Sequence, residues 1–176
     1  RLPDKGEDIN RNGVLDLATA FEVVADAGTA NVDFRLNTST NDDIGLQLST
    51  ANGGVLNATV GEILLVNGTD VVEANSFLEN NQAGLRLAGV TGTINADIVG
   101  NLFDRPTATG AGILINTTDV DVTANILRNT ISGGPAASFG IGGEVNGGNS
   151  LFTIGDGTDD NANLITGNGD AGIGLI

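Results

Sequence analysis

The chain has 176 residues, of which 22 are acidic, seven are basic and 27 are glycine, and it contains no Cys, His, Met, Trp or Tyr. Its formal net charge of −15 disfavours nucleic acid and anionic lipid surfaces as partners, and the lack of cysteine excludes a disulfide-stabilised scaffold. Val, Ile and Thr alternate with Gly and Asn, so the composition predicts an all-β fold with many turns. The longest aliphatic run, residues 63–66, is far shorter than a membrane helix requires, and we expect no membrane insertion.

The N-terminal segment, residues 1–22, is predicted to be a calcium-loop-like or capping segment that precedes the repeats. Its oxygen-bearing positions resemble a calcium loop of the EF-hand or dockerin kind. The predicted metal ligands are Asp8, Asn10, Asn12, Val14 through its carbonyl, and Asp16. Thr19 occupies the position at which such loops have their last carboxylate ligand. Asp4, Glu7 or Glu22 would therefore have to supply this ligand. Calcium binding and a plain Asn-Gly turn are both compatible with this pattern.

The next part of the chain has a looser pattern. Residues 15–27 fit either a short amphipathic helix that caps the stack or a strand. Residues 30–36 alternate between apolar and polar side chains and predict a strand of a first coil. Its inner face is expected to carry Val32, Phe34 and Leu36. Residues 43–48 and 61–65 share a pattern of alternating aliphatics, and we interpret both as strands of early coils.

From residue 72 to residue 176 the chain repeats a three-part unit. The first part is an aliphatic residue, followed three positions later by Asn and then, two positions further on, by a large apolar residue. The second part is a Gly followed by alternating aliphatics, and the third is an alternating stretch with one apolar face. The second part recurs after 28, 28 and 32 residues, counted between Leu85, Ile113, Ile141 and Ile173. Each unit therefore carries about three short strands and has the length of a solenoid repeat.

Stacking these units as coils places equivalent residues directly above one another. Two apolar rows are expected in the interior: Phe77, Phe103, Ile131 and Ile165 form one, and Leu85, Ile113, Ile141 and Ile173 form the other. A structural ladder of side-chain amides is expected at one corner, formed by Asn75, Asn101, Asn129 and Asn163. The sequence thus predicts a right-handed, single-stranded parallel β-helix of about five to seven coils over residues 23–176, with the clearest repeats in residues 72–176.

Segments 152–155, 163–168 and 171–173 carry the most specific pattern: Phe-Thr-Ile-Gly, then Asn-Leu-Ile-Thr-Gly-Asn, then Ala-Gly-Ile. Together with the Asn-x-Phe and Gly-Ile-x-Leu coils, they resemble the pectate-lyase-like right-handed β-helix repeats of large bacterial surface and secreted proteins. Some members of that superfamily are polysaccharide lyases or hydrolases, and many are non-catalytic adhesins, passenger domains or stalks. The resemblance therefore implies the fold more strongly than it implies an activity.

Residues suited to catalysis are sparse. A β-helix lyase needs a basic residue beside calcium-bound carboxylates, and a glycosidase needs a pair of carboxylates. The available groups are Arg86, Arg105, Arg128, Asp97, Asp119 and Asp121. No two of these acids occupy equivalent neighbouring positions with a basic partner, and the usual His and Tyr groups are missing. We therefore predict no catalytic residue and expect that the chain is not an enzyme.

The predicted function is that of a non-catalytic structural β-solenoid, extracellular or on the cell surface, as a subunit or fragment of a fibre or adhesin. Residues 171–176 finish in mid-strand without a polar cap. We therefore expect the coil ends to be covered by head-to-tail self-association or by continuation in a longer chain. The alternative is a polysaccharide-binding or polysaccharide-degrading β-helix protein, with surface glycans as partners.

Overall fold

A computed structural model of the chain describes residues 19–105, 110–134, 139–158 and 161–176. Over these residues the protein is an all-β parallel β-solenoid of about five turns, with almost no helix. The predicted β-helix architecture is confirmed, with a coil number at the lower end of the expected range. The first strand of a further coil follows the fifth turn.

Each coil contributes one strand to each of three parallel sheets, which we name A, B and C. Sheet A contains β1 (Thr19–Asp26), β4 (Ile44–Ala51), β9 (Ala83–Gly89), β12 (Ala111–Thr118), β15 (Phe139–Asn146) and β18 (Ala171–Leu175). Sheet B contains β2 (Thr29–Phe34), β5 (Val55–Val60), β10 (Gly92–Val99), β13 (Val120–Leu127) and β16 (Ser150–Ile154). Sheet C contains β3 (Thr38–Thr40), β8 (Ser76–Leu78), β11 (Leu102–Asp104), β14 (Thr130–Ser132) and β17 (Leu164–Thr166). An antiparallel hairpin is formed by β6 (Glu62–Val66) and β7 (Thr69–Glu73).

Equivalent residues lie in register from coil to coil, so the predicted alignment of both apolar rows is confirmed, although Ile173 at the end of its row is 48% exposed. In sheet C, Phe103 is paired with Phe77 on one side and with Ile131 on the other, and Ile131 is paired with Ile165. The rings of Phe77 and Phe103 stack with their centroids 5.0 Å apart. The row in sheet A runs through Leu46, Leu85, Ile113, Ile141 and Ile173.

Alternation along the central strands separates core from surface. In β10, Ile94, Ala96 and Ile98 are buried, whereas Asn95 and Asp97 are exposed. Each fully buried Leu or Ile contributes about 1.5–3 kcal/mol relative to an exposed position. Since one coil cannot bury its own inner face, this stabilisation exists only when a neighbouring coil lies on each side.

Glycine near the start of the sheet A strands is a packing requirement. A Cβ atom on Gly112 would lie 2.5 Å from Ile131 Cγ2 and 2.8 Å from the carbonyl oxygen of Gly140. A Cβ atom on Gly84 would lie 2.5 Å from Phe103 Cδ1. The repeated Gly therefore leaves the space that the large apolar row of sheet C fills.

The interpretation of residues 61–65 as a strand of an early coil is wrong. These residues belong mostly to β6, and Leu64 is paired with Val71 in an antiparallel hairpin. The hairpin turn is made by Asn67 and Gly68, both with positive φ (51° and 79°). Asn-Gly between apolar runs is the strongest short-range hairpin signal, and here it outweighs the resemblance to a solenoid strand. The hairpin is an insertion into the second coil, between β5 and β8.

The structure of the first coil confirms part of the sequence prediction for this region. Val32 and Phe34 pack against the core, but Leu36 is 71% exposed, so its predicted inward position is wrong. The reason is local: Leu36 has a φ of 56°, a left-handed conformation that interrupts the alternation after β2 ends. Of the two alternatives for residues 15–27, the described part is a strand, β1, paired in parallel with β4. The predicted domain boundary at residue 22 lies inside this strand.

Replacing Gly112 by Ala is expected to destabilise the protein by roughly 1–3 kcal/mol, because the added methyl group overlaps Ile131 and the backbone of the next coil. Urea unfolding measures the change. Gly28→Ala is the matched control, since the nearest atom to its Cβ would be 3.8 Å away. Equal stability of the two variants would contradict the proposed role of the glycine row.

Candidate functional site

The four asparagines predicted to form a corner ladder are joined by hydrogen bonds. The backbone N–H and the Nδ2 of Asn75 both donate to Asn101 Oδ1, at 3.0 and 2.9 Å. Asn101 donates in the same way to Asn129 (2.9 and 3.1 Å), and Asn129 to Asn163 (3.0 and 3.1 Å). Asn37 extends the ladder into the first coil, since its backbone N–H donates to Asn75 Oδ1 at 3.0 Å.

These amides have little capacity left for a ligand. The Nδ2 of Asn101 also donates to the carbonyl oxygen of Val60 at 2.8 Å, and that of Asn129 to the carbonyl of Ile98 at 2.8 Å. Asn75, Asn101 and Asn129 are at most 1% exposed. Buried amides whose donors and acceptors are taken up by backbone groups and by neighbouring ladder asparagines hold adjacent coils in register and are unavailable to solutes.

Asn101→Ala is expected to cost about 2–4 kcal/mol of unfolding free energy, because it leaves donors of Asn75 and the carbonyl of Val60 without their partner in a buried corner. Denaturant unfolding reports the loss. Asn95→Ala, on the exposed outer face of the same coil, should change stability by only about 0.5 kcal/mol. Similar effects for both variants would argue against the ladder as a stabilising element.

The predicted calcium ligands Asp8, Asn10, Asn12, Val14 and Asp16 lie outside the described residues, and calcium binding there stays a prediction from sequence. Within the described residues, no group of three or more Asp, Glu, His or Cys side chains is placed to hold a metal ion. No helix in the described part of the chain is long and apolar enough to span a membrane.

The outer face of sheet B carries polar side chains in columns along the solenoid axis. Asn57 donates from Nδ2 to Asn31 Oδ1, and Asn95 donates to Asn57 Oδ1, both at 2.9 Å. In the neighbouring column, Asn125 donates to Asp97 Oδ1 at 2.7 Å. The parallel register aligns these residues, because Asn31, Asn57 and Asn95 are direct partners in adjacent strands. The result is a surface of oriented amides, carboxylates and hydroxyls.

The inserted hairpin forms a wall beside this face. Its Asp70 accepts a hydrogen bond from Arg128 Nη1 at 2.8 Å, which ties the hairpin of the second coil to the fourth coil. At its base, Ile63 and Val72 lie against Gly100, where an added Cβ would be 3.0 Å from Val72 Cγ1. The Asn-Gly signal at residues 67–68 could have revealed this hairpin from sequence, but its position beside the sheet could not be read from local residues.

A groove follows the sheet and the hairpin wall. One part, of about 480 Å³, lies on the outer face of sheet B, and the next, of about 440 Å³, lies between that face and the hairpin. Both parts are lined by Thr59, Asp97 and Asn125, so they are continuous. Among the described residues, this groove is the best candidate for a functional site, because it combines concave shape with oriented polar groups.

The groove has an acidic end beside Arg35. This guanidinium pairs with Asp33, Glu62 and Glu73, three carboxylates for one cation. A side-chain hydrogen bond from Arg35 holds the pKa of Asp33 below its usual value, and the same contact raises the pKa of Arg35. Asp33 therefore stays ionised and is unsuited to act as a general acid.

The basic residues considered for catalysis are dispersed. Arg128 is engaged by Asp70, whereas Arg105 is 0% exposed and donates from Nη2 to the carbonyl of Phe139 at 3.0 Å. In the described structure, Nε and Nη1 of Arg105 have no hydrogen-bond partner. Burial lowers the pKa of Arg105 to about 10, although the charge of Glu79 acts to raise it. Burial thus disfavours the protonated guanidinium. At neutral pH, where Arg105 is charged, this burial destabilises the folded state.

Arg105→Met is therefore expected to leave stability unchanged or to raise it by about 1–3 kcal/mol at neutral pH, since an apolar chain of similar length removes a buried charge. In the parent protein, Arg105 makes stability rise as the pH increases above about 10, because there the unfolded state binds more protons than the folded state, and the variant should lose this rise. Urea unfolding as a function of pH measures both effects. Arg128→Met serves as control, and a strongly destabilised Arg105→Met protein would contradict the assignment.

Comparison of the chain with protein-family models, with curated proteins and with solved structures gives no significant match in any of the three. The β-solenoid fold is established by the strand pairing, and the resemblance to one particular family of β-helix repeats has no further support.

Proposed function

We propose that the chain is a non-catalytic structural β-solenoid of an extracellular or cell-surface fibre or adhesin, of the kind built from pectate-lyase-like repeats in large bacterial surface and secreted proteins. The observation that carries the proposal is the register that parallel strand pairing and the asparagine ladder keep through all five coils. Buried polar and apolar groups are used to join one coil to the next. Such a stack of coils provides length and stiffness, and this role needs no reactive centre.

Assembly through coil ends is the second part of the proposal. Ile173 of the sheet A row is 48% exposed, whereas Leu85, Ile113 and Ile141 in the same row are 0% exposed. Ile165 of the sheet C row is only partly buried, whereas Phe77, Phe103 and Ile131 in the same row are at most 1% exposed. A further coil stacked on this surface, from the same chain or from a second copy, would bury these side chains as the interior coils do.

End-to-end assembly predicts that the sedimentation coefficient of the purified chain rises with concentration. Ile173→Asp should suppress the rise, because a charge in an inner row is costly to bury. Leu65→Asp, a change of an equally apolar exposed residue on the hairpin, is the matched control and should assemble normally. A chain that stays monomeric at every concentration, or an Ile173→Asp variant that assembles like the parent, would contradict assembly of separate copies.

The alternative function is that of a polysaccharide-binding or polysaccharide-degrading β-helix protein with surface glycans as partners. The groove beside the hairpin favours binding, since its oriented amides and hydroxyls match the hydroxyl groups of a sugar chain. It favours degradation less, because Asp33, one of its carboxylates, is held ionised by Arg35 and a glycosidase needs a protonated acid.

A further inference from the structure

We propose that the groove between the outer face of sheet B and the β6–β7 hairpin binds a chain of amino sugars, that is, a glycan that carries protonated amines as well as hydroxyl groups. This inference rests on the glycan-binding alternative and specifies its ligand class. It is independent of end-to-end assembly, which uses a different surface.

The amides on the outer face of sheet B are held in fixed orientations before any ligand binds. Asn57 donates one Nδ2 hydrogen to Asn31 and accepts one hydrogen bond from Asn95. An Asn side chain has two donors and two lone pairs, so Asn57 retains one donor and one lone pair for a ligand. Because the ladder already orients the amide, little side-chain entropy is lost on binding. Side-chain amides recur in this column in the first three coils, about 4.8 Å apart along the axis, and Thr123 adds a hydroxyl in the fourth, so an extended polymer meets a row of polar groups.

The shape of the groove suits a long ligand. Thr59, Asp97 and Asn125 line both of its parts, so a ligand can run continuously along the axis from the sheet face to the hairpin. Ile63 and Leu65 line the hairpin side and offer an apolar wall for the C–H faces of sugar rings. The ion pair between Arg128 and Asp70 holds this wall in place.

The charge of the groove favours a cationic ligand. Four carboxylates line the groove: those of Asp33, Glu62, Asp70 and Asp97. Arg35 forms ion pairs with Asp33, Glu62 and Glu73, and Arg128 forms an ion pair with Asp70. Asp97 has no cationic partner in the described structure, and only an amide hydrogen bond from Asn125 satisfies it. The net negative potential favours a ligand with positive charge and repels an acidic polysaccharide.

A peptide strand is a poorer match to this surface. Extended peptides bind mainly by pairing their backbone with a free sheet edge. Strands β5, β10 and β13 each pair with a neighbour on both sides, so their backbone groups are already used. A ligand on this face would therefore be bound by side-chain amides, carboxylates and hydroxyls, which match the amines and hydroxyls of an amino sugar. Among the described residues no aromatic ring lines the groove, so hydrogen bonds and charge carry the affinity.

The test is calorimetric titration of the full chain, at mildly acidic pH, with three hexasaccharides: one of glucosamine, one of N-acetylglucosamine and one of galacturonic acid. The glucosamine hexamer is expected to bind at least about tenfold more tightly than the acetylated one, a difference of about 1.4 kcal/mol. The acidic hexamer should not bind. Binding of the amino sugar should weaken as salt is added, because the contact with carboxylates is screened.

Two variants test whether the hexamers bind in the groove. Asp97→Asn, an isosteric change at an exposed position, should abolish the preference for the amino sugar, and Asn57→Ala should weaken both neutral and amino hexamers several-fold. Asn116→Ala, an exposed Asn on the outer face of sheet A, is the matched control and should bind as the parent does.

The outcomes separate this inference from the function it rests on. If none of the hexamers binds, both glycan binding and the amino-sugar preference are overturned. If the acetylated hexamer binds as tightly as the amino hexamer, glycan binding stands and the present inference falls. A lysine hexapeptide that competes as well as the glucosamine hexamer would also overturn it, since charge alone would then explain the binding.

Discussion

The structure depends on one constraint: each inner residue must lie directly against its equivalent in the next coil. Phe77, Phe103, Ile131 and Ile165 satisfy it in sheet C, and Leu85, Ile113 and Ile141 satisfy it in sheet A. The asparagine ladder reinforces the same register, because a shift of one residue would withdraw an amide from its buried corner. Apolar burial supplies most of the stabilisation, and the hydrogen bonds select one alignment.

This constraint applies to the coil interior and leaves the outer loops free. Successive ladder asparagines are 38, 26, 28 and 34 residues apart, yet their hydrogen bonds have nearly the same length, 2.9–3.0 Å from the backbone N–H. The longest interval holds the β6–β7 hairpin, which leaves the solenoid and returns without disturbing the register. Lengthening a surface loop costs little free energy, so a β-solenoid can acquire a groove wall by insertion alone.

The fold could be predicted from sequence because its repeats mark the inner rows. The rows through Phe103 and Ile113, and the parallel register, follow from a period of 28 residues once the Gly and Asn positions are aligned. The pattern was weaker before residue 72, where the hairpin breaks the spacing and Leu36 adopts a left-handed conformation. The groove could not be predicted in the same way, since it depends on Asp70 reaching Arg128 across 58 residues of sequence. Such a contact leaves no periodic signal in a single chain.

The most direct test of the account is a nuclear Overhauser measurement on isotopically labelled protein, which reports which backbone amide protons lie close in space. Stacked coils place amides of equivalent residues about 4.8 Å apart. The account predicts cross-peaks that link Ile113 with both Leu85 and Ile141, and Phe103 with Ile131. Antiparallel cross-strand patterns at these residues, or contacts between Phe103 and residues outside the predicted row, would contradict the coil stacking on which the rest depends.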